Sequence, residues 1–218
     1  MMMSGFAEND EWHGTLKELE KVHQEILKCQ RCPLYKYITN KVPGEGDPTS
    51  GIMFIGEAPG REEDKQGRPF VGPAGKLLTK MIEEKLGIQR SKVYITNVLK
   101  CRPPNNRDPK PEEIEACSIW LKKQLEIIKP RVVVTLGRYS TEWIFKYFGL
   151  KFTKISEVRG KVYTVKKWDH VTYIIPTYHP AAVLYHPQWK EAFERDFELI
   201  KKVIEGKEKK PKTLVDFF

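Results

Sequence analysis

The sequence predicts an α/β fold, a three-layer αβα sandwich around a central, mainly parallel sheet. Three observations predict it. Short β-branched, apolar runs stop at glycine or at a polar turn, as strands buried on both faces do. Helical stretches of ordinary length alternate with them, the pattern of strand–helix–strand units. With 218 residues, 40% of them hydrophobic, the chain can bury one sizeable core.

The elements follow in order. Leu16, Leu19, Val22, Ile26 and Leu27 recur near helical spacing and place an amphipathic helix over Leu16 to Leu27, just before Cys29. Lys41 to Ser50 is rich in glycine, proline and acidic residues and reads as loop. Gly51 to Gly56 is a buried strand, and Gly56 to Gly75, dense in glycine and proline, reads as a long structured loop rather than helix. Lys76 to Leu86 is helical and ends at Gly87. Val93 to Val98 is a second strand, and Arg102 to Pro111 a polar, proline-rich loop. Glu112 to Ile128 is a helix, Arg131 to Leu136 a third strand stopping at Gly137, and Tyr139 to Phe148 a helix. Val158 to Val165 and Val171 to Pro176 read as strands, and Trp189 to Ile204 as the last helix. One domain is expected over residues 1–205, followed by a charged linker and an aromatic tail over 206–218. No internal repeat is visible.

In such sheets ligands bind beyond the carboxyl ends of the strands. The loops to inspect are therefore Gly56 to Gly75, Asn97 to Pro111 and Tyr178 to Leu184. Charged residues make up 31% of the chain and the formal net charge is +9, which favours polyanions through phosphate attraction and counterion release. A merely soluble basic protein is the competing reading. Abundant Lys and Glu also suit a thermophile's surface. No run of about 18 apolar residues exists, so no transmembrane helix is expected. Met1 to Trp12 lacks the apolar stretch of a secretory signal, so a cytoplasmic, nucleoid-associated location is expected.

Four cysteines, Cys29, Cys32, Cys101 and Cys117, form a C-x2-C pair and a pair separated by fifteen residues. In a cytosolic chain a metal centre is a better reading than disulfides, with inert thiols or a redox pair at Cys29 and Cys32 as competitors. Zinc and a [4Fe–4S] cluster both accept four thiolates, so spacing leaves them undivided. Phe70 sits among glycines, where it could stack on a flat ligand or fill the core. Asn97 closes an apolar strand, and a buried Asn must pair with backbone or ligand. His179 follows an apolar strand where the chain leaves the sheet, a place where a structural His is common.

Together these residues resemble the family 4 uracil-DNA glycosylases, the iron–sulfur branch found in thermophilic bacteria and archaea. The matching segments are Gly56-Glu-Ala-Pro-Gly60, Glu63-Asp64, Gly67-Arg-Pro-Phe-Val-Gly72, Thr96-Asn97-Val98, Cys101-Arg-Pro-Pro-Asn105 and His179-Pro180-Ala181, spread over Leu16 to Ile204. The resemblance implies a [4Fe–4S] cluster on Cys29, Cys32, Cys101 and Cys117. It implies a monomer that flips deoxyuridine out of double- or single-stranded DNA and hydrolyses its glycosidic bond.

Roles carried over with the resemblance are these. Phe70 stacks on uracil, Asn97 reads its Watson–Crick edge, and the backbone at Gly56, Glu57 and Ala58 binds its carbonyls. Glu63 lies near ring carbon 5, where it excludes the methyl of thymine, and His179 donates to the carbonyl at position 2. In the family 1 enzymes this motif carries an Asp that positions water. Here that position is Ala58, which leaves Glu57 as the nearest carboxylate. Val183 or Leu184 resembles the wedge that replaces the flipped nucleotide, and Arg102, Asn105, Asn106 and Arg107 could grip phosphates. Leu214, Phe217 and Phe218 resemble a sliding-clamp binding motif of the proliferating cell nuclear antigen type, although Pro211 stands where glutamine is usual. A glycosylase for another base and a zinc-stabilised nucleic-acid module without catalysis are the alternatives.

Overall fold

The computed structural model of the protein describes residues 11–207. Its strands are β1 (Glu45–Gly46), β2 (Ile52–Gly56), β3 (Tyr94–Asn97), β4 (Val132–Leu136), β5 (Tyr163–Lys166) and β6 (Val171–Thr177). Among the described residues they form one sheet in the order β1-β3-β2-β4-β6-β5. The inner strands β3, β2, β4 and β6 are parallel, and β1 and β5 close the two edges antiparallel. The expected mainly parallel sheet is therefore present, with antiparallel edges that the sequence did not announce.

Helices cover both faces because the inner strands are apolar on both faces. Ile52, Phe54, Ile95, Val132, Val134 and Ile175 point to one side. There they meet α3 (Pro73–Lys80), α7 (Pro180–Tyr185) and α8 (Lys190–Ile204), the last through Phe193, Phe197 and Ile200. Met53, Ile55, Tyr94, Val133 and Ile174 point to the other. They meet α1 (Glu11–Leu27), α4 (Pro111–Ile128), α5 (Arg138–Tyr147) and the short α6 (Ile155–Val158). Each such buried side chain contributes about 1.5–3 kcal/mol. A third apolar cluster, built from Val22, Ile26, Leu34, Leu99 and Trp120, surrounds the four cysteines at one end of α1 and α4.

Several expectations are corrected. Residues 56–75 are not all loop, because α2 (Arg61–Gln66) and the start of α3 lie within them. Glycine and proline there mark helix ends rather than forbid helices. Glu63 accepts the Gly60 N–H at 3.1 Å, Gly67 closes α2 in the left-handed conformation, and Pro73 opens α3. The strand expected over Val158 to Val165 begins only at Tyr163, since Ile155–Val158 makes a helical turn first. The stretches Lys41 to Ser50 and Tyr178 to Leu184, read as loops, carry β1 and most of α7, where Pro180 opens the helix; elsewhere boundaries shift by up to five residues, and α3 runs on into a π-helical turn over Met81–Leu86 that ends at Gly87.

Asp64 fastens α2 to the segment after the first two cysteines, accepting the N–H groups of Thr39 at 2.9 Å and Asn40 at 3.3 Å. No helix among the described residues is long and apolar enough to cross a membrane.

Phe197 is fully buried and stacks on Phe54 at 6.2 Å. Phe197→Ala should therefore lower unfolding stability by about 3–5 kcal/mol, measured by guanidinium denaturation.

Candidate active site

The carboxyl ends of β2, β3 and β6 open into a cleft of about 800 Å³. Its floor and walls include Glu57, Ala58, Phe70, Asn97 and His179, residues far apart in the chain. The register of the sheet sets Gly56 directly beside Asn97. Gly56 has to be glycine: a Cβ there would stand 2.4 Å from Asn97 Oδ1 and 2.5 Å from Phe70 Cζ. Its missing side chain is the space in which the amide and the ring meet.

Asn97 is buried, and its Oδ1 is the one buried side-chain oxygen or nitrogen among the described residues that lacks a hydrogen-bond partner. Leaving such an atom unpaired costs about 1–3 kcal/mol, so the cleft holds an acceptor waiting for a donor. Phe70, also buried, adopts a left-handed backbone at φ 51°, uncommon for a bulky residue and costing about 1–3 kcal/mol. Its ring lies 5.7 Å from the His179 ring, tilted by 31°.

His179 caps α7. Its Nδ1 accepts the Ala181 N–H at 3.1 Å, which leaves the proton of the neutral ring on Nε2. Burial lowers the imidazole to about 4, against the pull of Glu63. The ring is therefore a neutral N–H donor at ordinary pH.

Glu57 is the other titrating group. Burial and the Asp108 carboxylate push its carboxyl up to about 7, against the opposing Arg138 guanidinium. Asp108 is itself held by Arg138 at 3.1 Å and by the Tyr139 hydroxyl at 2.8 Å. A carboxylate that is half-ionised near neutrality can take a proton from water.

Glu63 lines the cleft but has work of its own. Its carboxylate accepts from the N–H groups of Gly60, Val71 and Gly72, at 3.1, 2.8 and 2.8 Å. It folds the loop that carries Phe70, a job the sequence reading did not assign.

The rim places the expected wedge and phosphate-contact residues. Val183 is 4% exposed and packs in the core, whereas Leu184 is 49% and Tyr185 82% exposed beside the cleft. Successive residues of α7 point about 100° apart, so only one of the two expected wedge candidates faces outward, and Tyr185 was missed. Arg107 makes a bidentate pair with the buried Glu113 at 2.6 and 2.9 Å and lines the cleft. Arg102 donates to Asn106 at 2.6 Å. Asn105 and Asn106 are exposed at positive φ, and Asn106 borders the cleft.

All four cysteines line one small cavity, together with Ile26 and Trp120. Trp120 donates Nε1–H to Cys29 Sγ at 3.3 Å and Lys100 donates its backbone N–H to Cys117 Sγ at 3.2 Å. None of the cysteines lines the cleft. The tail residues Leu214, Phe217 and Phe218 lie outside the described residues.

The family model of the uracil DNA glycosylase superfamily matches residues 43–201. A type-4 uracil-DNA glycosylase from Sulfurisphaera tokodaii is 54% identical over 86% of this chain and 86% of its own. One from Archaeoglobus fulgidus is 54% identical over 93% of this chain and all of its own. A third, from Thermotoga maritima, is 49% identical over 76% and 83%.

An unpaired acceptor kept for a ligand weakens the empty fold. Asn97→Leu, close in shape, should leave unfolding stability unchanged or raise it by about 1 kcal/mol, as thermal denaturation would show.

Proposed function

The chain belongs to the uracil DNA glycosylase superfamily, and we propose that it excises uracil from DNA by hydrolysing the N-glycosidic bond of a flipped deoxyuridine, leaving an abasic site. The observation that carries the reading is the trio in one cleft: the unpaired Asn97 Oδ1, the Phe70 ring and the neutral His179. A pyrimidine that presents an N–H flanked by two carbonyls complements such a set.

In this reading Phe70 stacks on the ring, Asn97 Oδ1 accepts the N3–H, and the backbone of Gly56, Glu57 and Ala58 meets the carbonyls. Glu63, held by three N–H groups, stands as a rigid wall by ring carbon 5 against thymine's methyl. The bond from the sugar to N1 breaks and its electron pair moves onto uracil. His179 Nε2–H stabilises the charge gathering on the carbonyl at position 2. Glu57 takes a proton from water as the water oxygen bonds to the sugar carbon. Leu184 is the wedge, with the exposed Tyr185 beside it, and Arg102, Asn105 and Asn106 face the DNA backbone. The chain acts as a monomer with the chromosome, on uracil opposite guanine or adenine and in single strands.

The four thiols suit a [4Fe–4S] cluster. They share one cavity, and two of them, Cys29 and Cys117, receive N–H···S bonds, as thiolate ligands do. Bound there, the cluster supplies cross-links that order the Arg102 to Arg107 loop. The reading also keeps Leu214, Phe217 and Phe218 as a clamp-binding tail. Deleting residues 213–218 should abolish clamp binding and spare excision on short duplexes.

Uracil release from a single-uracil duplex, followed by alkaline cleavage of the strand, tests the activity. His179→Ala should slow single-turnover excision by about 10²–10³-fold with the circular dichroism spectrum unchanged. The active form of Glu57 is the carboxylate. The rate should therefore fall below pH 7 with a midpoint of about 7, and that limb should vanish in Glu57→Gln. His179 should add no limb above about pH 5, its midpoint lying near 4. For the cluster, anaerobically purified protein should be coloured and contain iron and sulfide, whereas Cys101→Ser should lose the colour and gain protease sensitivity between residues 102 and 110.

A further inference from the structure

We propose that Arg90 is a positioning residue for uracil recognition: from outside the cleft its guanidinium fixes the two carbonyls that set the Phe70 ring. The inference rests on Phe70 being the stacking residue. Arg90 precedes β3 and does not line the cleft. Its Nη2 donates to Pro69 O at 2.6 Å and its Nη1 to Phe70 O at 2.9 Å. The same two nitrogens are fixed by Glu45 Oε1 and Thr79 Oγ1, each at 2.9 Å. Glu45 is held in turn by Arg68 at 2.7 Å.

The turn around Phe70 is thus pinned from opposite sides by opposite charges. The carbonyls of residues 69 and 70 face a cation, and the N–H groups of residues 71 and 72 face the Glu63 anion. Between them Phe70 keeps its left-handed backbone. Gly75 completes the clamp, since a Cβ there would fall 1.9 Å from the Phe70 carbonyl. A planar guanidinium can reach four acceptors at once, and a lysine's point charge cannot reproduce that fork. With the carbonyls released, the turn can relax toward an ordinary conformation that swings the ring away from Asn97.

The experiment compares Arg90→Met, Arg90→Lys, Glu45→Gln, Phe70→Ala and the Arg90→Met/Phe70→Ala double variant in the full chain. Three quantities are read: inhibition by free uracil, excision kinetics on a single-uracil duplex, and affinity for a uracil-free duplex. Arg90→Met should weaken uracil inhibition by about tenfold, the order expected for a lost base stack, with uracil-free DNA bound as before. Arg90→Lys should recover part of that loss. Glu45→Gln, which loosens the guanidinium and also releases Arg68, should shift uracil affinity in the same direction by less, and it decides the matter if Arg90→Met does not fold. The double variant should bind uracil no more weakly than Phe70→Ala alone. Additive losses, or a Phe70→Ala effect with unchanged uracil affinity in the folded Arg90 and Glu45 variants, overturn this inference only. A wild-type protein that neither binds nor releases uracil overturns the activity, and the inference with it.

Discussion

Lys100 is almost wholly buried, and the structure is organised around that fact. Its amine, lowered to about 7 by burial against the pull of Cys117, donates to Thr96 Oγ1, Asn97 O and Gln124 Oε1, at 2.6, 2.7 and 2.7 Å. Gln124 bonds onward to Pro43 O and to the Tyr94 hydroxyl, which meets His23 of α1. Buried polar groups are tolerated only when satisfied, and a satisfied network fixes one arrangement of the elements that supply it. This one joins α1, β3 and α4, and through the Lys100 N–H it touches the cysteine cavity. The end of β3 that carries Asn97 is therefore held by this network, and the cleft is built against it.

The cleft itself departs from the rule that the rest of the interior obeys. Asn97 Oδ1 stays unpaired, Phe70 holds a left-handed backbone, and two half-buried titrating groups line the cleft. Their environments separate them: burial keeps the His179 imidazole neutral and, with the Asp108 carboxylate, raises the Glu57 carboxyl to about 7. Such local violations cluster where a ligand will complete the set. They are affordable because the neighbouring backbone is over-determined, by Glu63 within the loop and by the strand register beneath it.

The thiols and the cleft share β3 and the loop after it, and Lys100 and Ala58 stand between them. The cysteines lie against the loop after β3 and outside the cleft. That loop is also tied by Arg107 to Glu113 and, through Asp108, to Arg138 and Tyr139 beside Glu57. Loop order and the protonation of Glu57 are linked through those few contacts.

Much of this was legible in the sequence. Strands buried on both faces show as continuous apolar runs ending at glycine, which fixed the parallel core. The ordered motifs from Gly56 to His179 named the residues that meet in the cleft, because chemistry of this kind tolerates few substitutes. The tertiary structure alone decided what depends on contacts distant in sequence. It buried Val183 and exposed Leu184, one helical step apart. It gave Arg107 to Glu113 and Glu63 to three N–H groups, and it brought Arg90 to the back of the Phe70 turn. Periodicity reports the immediate neighbours of a residue along the chain. Which partner a charge finds across the fold is set by packing, and packing exists only once the sheet has closed its order.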